Sequence, residues 1–414
     1  MELGQVAEIT GGATPRRDNP AYWGGGVPWL TPTDLPAVGA GVTDVAATAD
    51  AITEEGLASC SANLLPPGTV LFSSRASIGK VGIAVVPLTT NQGFANLIPR
   101  PGVESRYLAW CLHFHAERIS GLAGSTTFKE VSKSALKRFR VPLPPPSEQR
   151  LIVEILDQAD RLRRLRAEAD AEADRILPVL FLKMFGDPVS NPMGWPVSSL
   201  ADVCEIVSGA TPRTDQPSHW GGDIYWATPK DLSGLDDFVI ERTQRTITAS
   251  GLASCSARML PRGAILLSSR APIGLVAIAG APICTNQGFK SLVCEPDVSP
   301  WYLFAWCKLQ RGFLDSLGRG ATFKEISKAI VERIQIQVPP RQLQSEFEGQ
   351  AKALRDSRLS GRRATDKLAL LFALLINKAF SGSLTAAWRG AHMNELLQEM
   401  DHQTMALSAL TRAE

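Results

Sequence analysis

The side chains best suited to recognition chemistry come in sets that occur twice. Ser73, Ser74 and Arg75 follow an apolar run and precede a glycine-containing turn, and Ser268, Ser269 and Arg270 repeat them. An arginine fork grips guanine or phosphate and a serine hydroxyl donates to either, so an exposed strand end carrying them would be a reading edge. The same arginine would equally pin its turn to a carboxylate. Asn91 with Gln92, and Asn286 with Gln287, offer amide pairs suited to adenine. Followed by Gly and Phe, they also fit a turn in which the amides satisfy backbone groups. Arg16, Arg17 and Arg213 lie in polar loops beside proline, where phosphate contact competes with simple solvation. Lys129 and Lys324 follow Phe128 and Phe323 in a repeated TFKE, either as phosphate holders or as partners of Glu130 and Glu325. Trp23, Trp29, Trp220 and Trp226 flank a WGG turn and read as core rather than as base-stacking platforms.

Other chemistries find little support. The sequence has no GxxxxGK[ST] phosphate loop and no DPPY or NPPF-type motif for amino methylation. Its seven cysteines form no CxxC pair, and His113 and His115 align with Leu309 and Arg311 in the second copy, so no zinc site is expected. A net charge of +2 over 414 residues argues against a purely electrostatic nucleic-acid tail but leaves room for a local basic face. With no apolar run near the length of a membrane span and no signal-peptide pattern at Met1, a cytoplasmic protein with reduced thiols is expected.

These sets are positioned by an internal duplication. GATPRRDNPAYWGGGVPWLTPTDL from Gly12 returns as GATPRTDQPSHWGGDIYWATPKDL from Gly209, 197 residues later. GLASCSANLLPPGTVLFSSRASIG from Gly56 returns from Gly251 at an offset of 195, as do TNQGF, TFKE and a proline pair. The length predicts several domains, and each half reads as one of about 145 residues followed by a long helix. Within each half, short β-rich runs such as Thr69 to Phe72 and Gly82 to Val86 end at Gly or Pro. Arg106 to Ser120 and Tyr302 to Leu317 have the spacing of packing helices. The expected class is α+β, with a twisted and largely antiparallel sheet in each half.

The first long helix is predicted from Ser147, as its cap, to Gly186, about 60 Å if continuous. Ile152, Ile155, Ala159, Leu162, Ala169, Ala173, Ile176 and Leu180 give it a narrow apolar seam. Residues 342 to 380 supply an antiparallel partner through Phe347, Ala351, Leu354, Leu368, Leu371, Phe372 and Leu375. Pro178 is a potential kink in the first helix and Gly361 an interruption in the second. The expected boundaries are therefore 1–146, 147–186, 187–341 and 342–389, with a tail at 390–414.

GxTPxxxxxxxWGGxxxW at Gly12 and Gly209, SSRAxIG, TNQGF, TFKE, the proline-rich helix entries and AFSGSLTAAWR from Ala379 together resemble the specificity subunit of type I restriction-modification systems. The resemblance runs to about Arg389. It implies two target-recognition domains separated by long helices forming an antiparallel coiled coil. It further implies double-stranded DNA as ligand, with methylation (M) subunits, two of them, and through them restriction (R) subunits as partners. The chemistry, with its ATP, magnesium and S-adenosylmethionine, would then belong to those partners, leaving no cofactor and no catalytic residue in this chain.

Two duplicated domains on an antiparallel helix pair suit two similar half-sites separated by an unread spacer, since one DNA turn is about 34 Å and the helices are longer. Differences between the copies would make the half-sites related but not identical: Arg17 faces Thr214, Tyr22 faces His219, Leu30 faces Ala227, Thr33 faces Lys230 and Ala95 faces Lys290. The helix faces near Leu165 and Leu177, and a tail seam of Leu396, Leu397, Met400, Leu407 and Leu410, are expected to dock methylation subunits, with a disordered tail as the alternative. Two other classes remain open at this point: a self-sufficient nuclease or methyltransferase with an unfamiliar motif, and a duplicated adaptor that binds only protein.

Overall fold

The structure is a computed structural model that describes residues 1–75, 77–124, 129–319 and 324–411, with side chains to residue 408. Phe128, Phe323 and the side chain of Leu410 thus lie outside the described residues. The chain forms two compact units, one of Met1–Leu165 with Asp366–Glu414, the other of Arg166–Thr365.

In the first unit a five-stranded sheet is built around Val70–Ser73 and Val81–Ala84, whose residues are buried throughout. Such continuous apolar runs belong to strands covered on both faces. Val70–Ser73 pairs antiparallel with Phe94–Pro99 on one side and with Val81–Ala84 on the other. Ala7–Gly11 adds antiparallel at one edge and Val42–Val45 parallel at the other. Side chains alternate across the sheet. Val70 and Phe72 face a core closed by Tyr107, Leu108, Trp110 and Leu112 of the helix Ser105–Phe114, while Leu71 faces a second core with Leu30, Leu35, Leu88 and Phe94. A small three-stranded sheet joins Trp23–Leu30 antiparallel to Asp50–Ile52 and parallel to Thr89–Thr90.

The second unit repeats this order with Cys204–Ser208, Lys290–Cys294, Ile265–Leu267, Val276–Ala279 and Val239–Ile240, and with a three-stranded sheet around Trp220–Ala227. The segment expected as one helix over Arg106 to Ser120 is two, broken at His115; its repeat breaks at Gln310. That equivalence corrects the alignment: Lys308 and Gln310, not Leu309 and Arg311, match His113 and His115. Burial pushes both imidazoles down to about 4. Among the described residues no group of His, Cys, Asp and Glu is arranged to hold a metal ion, and no helix is long and apolar enough to cross a membrane.

Each unit contains part of each long helix, Pro146–Phe185 and Arg341–Phe380. In the first unit Ile152 and Leu156, near the start of one helix, share a core with Phe372 and Ile376, near the end of the other. In the second, Leu177, Phe181 and Phe185 pack with Phe347 and Ala351, so the two helices run antiparallel in both. The seam differs from the expected one. Leu162, Ile176 and Leu371 are exposed, whereas Leu177 is buried and therefore unavailable to a partner. Between the apolar ends the helix contact turns polar and is only half-buried: Asp170 pairs with Arg166 and accepts from Thr365 Oγ1 at 2.5 Å. Gly361 does not interrupt its helix. Its missing Cβ leaves the space into which Arg166 and Asp170 reach, 2.8 and 2.9 Å from where that atom would stand. Pro178 likewise lies within a helix assigned without a break. Ser147 is not the cap, because the helix already includes Pro146; its N–H donates to Glu399 instead, at 2.9 Å.

The tail is helical over Met393–Thr411 and belongs to the first unit. Leu396 and Leu407 are buried there, which withdraws them from the proposed docking seam, while Leu397 and Met400 stay exposed. Arg389 and Thr385 both donate to the buried Glu148 carboxylate, and Gln403 donates to Gly102 O at 2.8 Å.

Candidate nucleic-acid interface

The repeated motifs of the first unit converge on one cleft of about 760 Å³, lined by Arg17, Thr31, Thr33, Asp50, Arg75, Lys80, Asn91, Gln92 and Lys129 among others. Five of the residues expected to bind DNA, Arg17, Arg75, Asn91, Gln92 and Lys129, thus meet in one place. Four cations line it against a single carboxylate, which gives a locally positive wall on a nearly neutral chain.

Local sequence explains why the loops meet. The GATP loop crosses directly over the TNQ turn, where a Cβ on Gly12 would lie 2.2 Å from Thr90 O and Asn91 O. Gly209 repeats the crossing, 2.0 Å from Asn286 O, so only glycine fits at either position. Thr14 donates to Gln92 Oε1 and Thr211 to Gln287 Oε1, tying each loop to its neighbour. Asn91 Oδ1 accepts from Gly93 N at 2.8 Å and Asn286 Oδ1 from Gly288 N at 2.9 Å. The asparagines therefore shape turns, and the exposed glutamines form their tips. The repeated TPxDL motif is a staple: Asp34 accepts from Thr31 N and Ala49 N, and Asp231 from Thr228 N and Gln244 N.

The tryptophans anchor the arginine loops. Trp23 and Trp29 meet edge-on at 5.0 Å, and Trp220 and Trp226 repeat this spacing. Trp29 Nε1 donates to Ala13 O at 3.0 Å and Trp23 Nε1 to Arg16 O at 3.2 Å. Trp226 and Trp220 do the same for Ala210 and Arg213, at 2.9 and 3.1 Å. Arg17 lies over Trp23, its Cζ 4.6 Å from the ring centre, in a cation–π contact worth about 0.5–1 kcal/mol at an exposed site.

The remaining candidates divide sharply. Ser73, Ser74, Ser268 and Ser269 are buried, which corrects their expected place on an exposed edge. Ser73 Oγ donates to Ser77 O at 2.6 Å and accepts from Lys80 N, and Ser268 Oγ bridges Pro272 O and Leu275 N in the same way. Ser74 and Ser269 hold the turn glycines, donating from their N–H groups to Gly93 O and Gly288 O. Lys290 is also buried, 3.2 Å from Glu325, so it is no direct reader. Leu30 and Ala227 lie in the core and read nothing.

Arg75 and Arg270 stand beside Glu130 and Glu325, at 3.8 and 2.9 Å, with partly exposed side chains. Burial opposes ionisation of Glu325, but the hydrogen bonds and charges of Arg270 and Lys290 outweigh it and hold the carboxyl below its usual range. Arg16 and Arg213 are exposed, beside Asp18 and Asp215. Lys230 is exposed in the short helix Pro229–Ser233, and Lys324 lies 3.8 Å from Asp315.

Two residues escaped the sequence reading. Lys80 lines the cleft, held by Pro32 O and Leu35 O at 2.6 and 2.8 Å. Arg245 stacks on Trp220 at 3.7 Å. Aligning the copies at the 195-residue offset through Ile52 and Ile247 would have exposed it, opposite Asp50.

A family model described as the type I restriction modification DNA specificity domain matches residues 1–173 and 192–347. The chain is 35% identical over 226 residues to the type I restriction enzyme MjaIX specificity subunit of Methanocaldococcus jannaschii, covering 50% of this chain and 52% of that protein. It is 32% identical over 167 residues to the EcoR124I/EcoR124II specificity subunit of Escherichia coli, covering 39% and 40%. The chain thus spans about half the length, or less, of these two relatives. Among solved structures it shares the fold of a chain described under complex assembly and conformational transition of the type I R-M system, with TM-score 0.60, 19% identity, and 93% and 97% of the two chains covered. It also shares the fold of the type I system S subunit from M. genitalium, with TM-score 0.59, 13% identity, and 92% and 95% covered.

Proposed function

Because this chain belongs to the type I restriction-modification DNA specificity family, we propose that it is the sequence-reading subunit of such a system. On this reading it binds duplex DNA through one loop cluster in each unit and brings methylation and restriction subunits to the site. The observation that carries the reading is the cleft in which Arg17, Arg75, Lys80 and Lys129 surround the exposed tip of Gln92. Cations at such a wall hold phosphates and set register, while an amide at its rim reaches base edges.

The second unit carries the same loops with Arg213, Lys230, Arg270, Gln287 and Lys324, so two related half-words are read, separated by a spacer that the long helices measure. The chain itself performs no covalent step and takes no cofactor; methyl transfer and cleavage belong to its partners.

Two methylation subunits dock, one per unit. The support for that number is a twinned apolar stripe: Ile176 and Val179 are exposed in the second unit, and Leu371 and Leu374, each 195 residues later, are exposed in the first.

Mapping methylated bases in a genome carrying this chain and its partners tests the proposal. A bipartite motif with related halves is the expected result, and a single uninterrupted motif would overturn it.

A further inference from the structure

The guanidinium over the tryptophan pair keeps its place in both units but changes its origin in the chain. In the first unit it is Arg17, from the loop before the WGG turn, 4.6 Å from the centre of Trp23 and 5.1 Å from that of Trp29. Its Nη1 lies 3.7 Å from Asp50 Oδ2, across the cleft wall. In the second unit Thr214 stands at the place of Arg17, and Arg245 stands at the place of Asp50, on the opposite loop. Arg245 lies 3.7 Å from the centre of Trp220 and 5.3 Å from that of Trp226. A cation has been lost on one side of the aromatic pair and gained on the other, and the carboxylate has gone with the exchange. Among the described residues no carboxylate pairs with Arg245.

The backbone beneath Arg245 is fixed. Its carbonyl accepts from Trp226 N at 3.2 Å and from Thr243 Oγ1 at 2.6 Å, so the exposed side chain leaves from a held point and rests on an aromatic face. A guanidinium positioned in this way gives up little conformational freedom when it meets a phosphate.

Resting on the DNA-reading function above, we propose that Arg245 is the phosphate-gripping counterpart of Arg17 and anchors the second half-site. The two half-sites are then held with unequal charge. Arg17 shares its charge with Asp50, whereas Arg245 presents a full one.

The test uses the full chain co-purified with its partner subunits and a duplex carrying the methylated motif found by genome mapping. Arg245→Asp is expected to weaken binding at least tenfold and to lower the salt slope by about one, the value of one phosphate contact. Thr214→Arg added to Arg245→Asp rebuilds the arrangement of the first unit and is expected to recover most of the loss. Arg245→Lys, with matching melting curves for all variants, separates a binding defect from a folding one; it should retain most of the salt slope. Binding within twofold of wild type for Arg245→Asp, or a loss that Thr214→Arg leaves unchanged, overturns the inference while the DNA-reading function stands. Failure of the wild-type assembly to prefer its motif over competitor DNA removes that function, and the inference with it.

Discussion

Lys290 Nζ lies 3.2 Å from Glu325 Oε1, and Arg270 Nε donates to the other oxygen of the same carboxylate at 2.9 Å. The buried lysine therefore aims the exposed arginine through the glutamate between them. In the first unit Ala95 takes the lysine's place, and Arg75 is left 3.8 Å from Glu130. Lys290→Ala should thus remove one of the two cations that hold Glu325 and weaken the second half-site only, by less than loss of Arg270 itself. Removing a charged hydrogen-bond partner should also cost about 1.5–3 kcal/mol of stability. Half-site competition and denaturant titration measure the two effects separately. Equal weakening of both half-sites would show that Lys290 acts on the whole fold.

The twinned stripe predicts a stoichiometry. Ile176→Glu with Val179→Glu, or Leu371→Glu with Leu374→Glu, should leave the chain folded, because these side chains are already exposed. Each double variant should reduce the bound methylation subunits from two to one, and the quadruple variant to none. Mass measurement of the purified assembly decides. Full assembly in the quadruple variant would place docking elsewhere.

Glu148 is buried and accepts from Thr385 and bidentately from Arg389. Removing the arginine strands a buried carboxylate, which typically costs about 3–5 kcal/mol. Arg389→Ala should accordingly lower the melting temperature of the first unit by about 2–4 °C for each kcal/mol lost. Glu148→Gln combined with Arg389→Met should recover part of it, since neither charge is then left alone. Scanning calorimetry of the full chain reports both.

Acid should loosen the first unit through His113 and His115. Burial lowers both from 6.5 to about 4, with Arg163 adding to the effect at His113 and Arg118 at His115. The unfolded chain binds their protons first. Their neutral forms therefore support the fold fully above 6.5, and that support declines as pH falls through about 4. His115→Phe, placed among the rings of Phe114, Phe139 and Phe380, should lose less melting temperature than wild type across that window. Parallel acid sensitivity in the two proteins would exclude His115 as a source.

The sequence by itself determined the duplication, the mixed class of each half, the two long helices and their antiparallel partnership, and five of the residues that line the cleft. These are legible because apolar periodicity and repeated motifs are local records of burial. Tertiary structure decided which motif residues face outward. SSR and TNQ look equally polar as text, yet Ser73 and Asn91 spend their side chains on turns, while Arg75 stays partly exposed and Gln92 exposed. It also decided the helix seam, where a one-residue difference in phase buries Leu177 and exposes Ile176. Arg245 shows the physical reason most plainly. The guanidinium's place is defined by two tryptophan rings, and chain positions far apart in sequence can each deliver a cation to it.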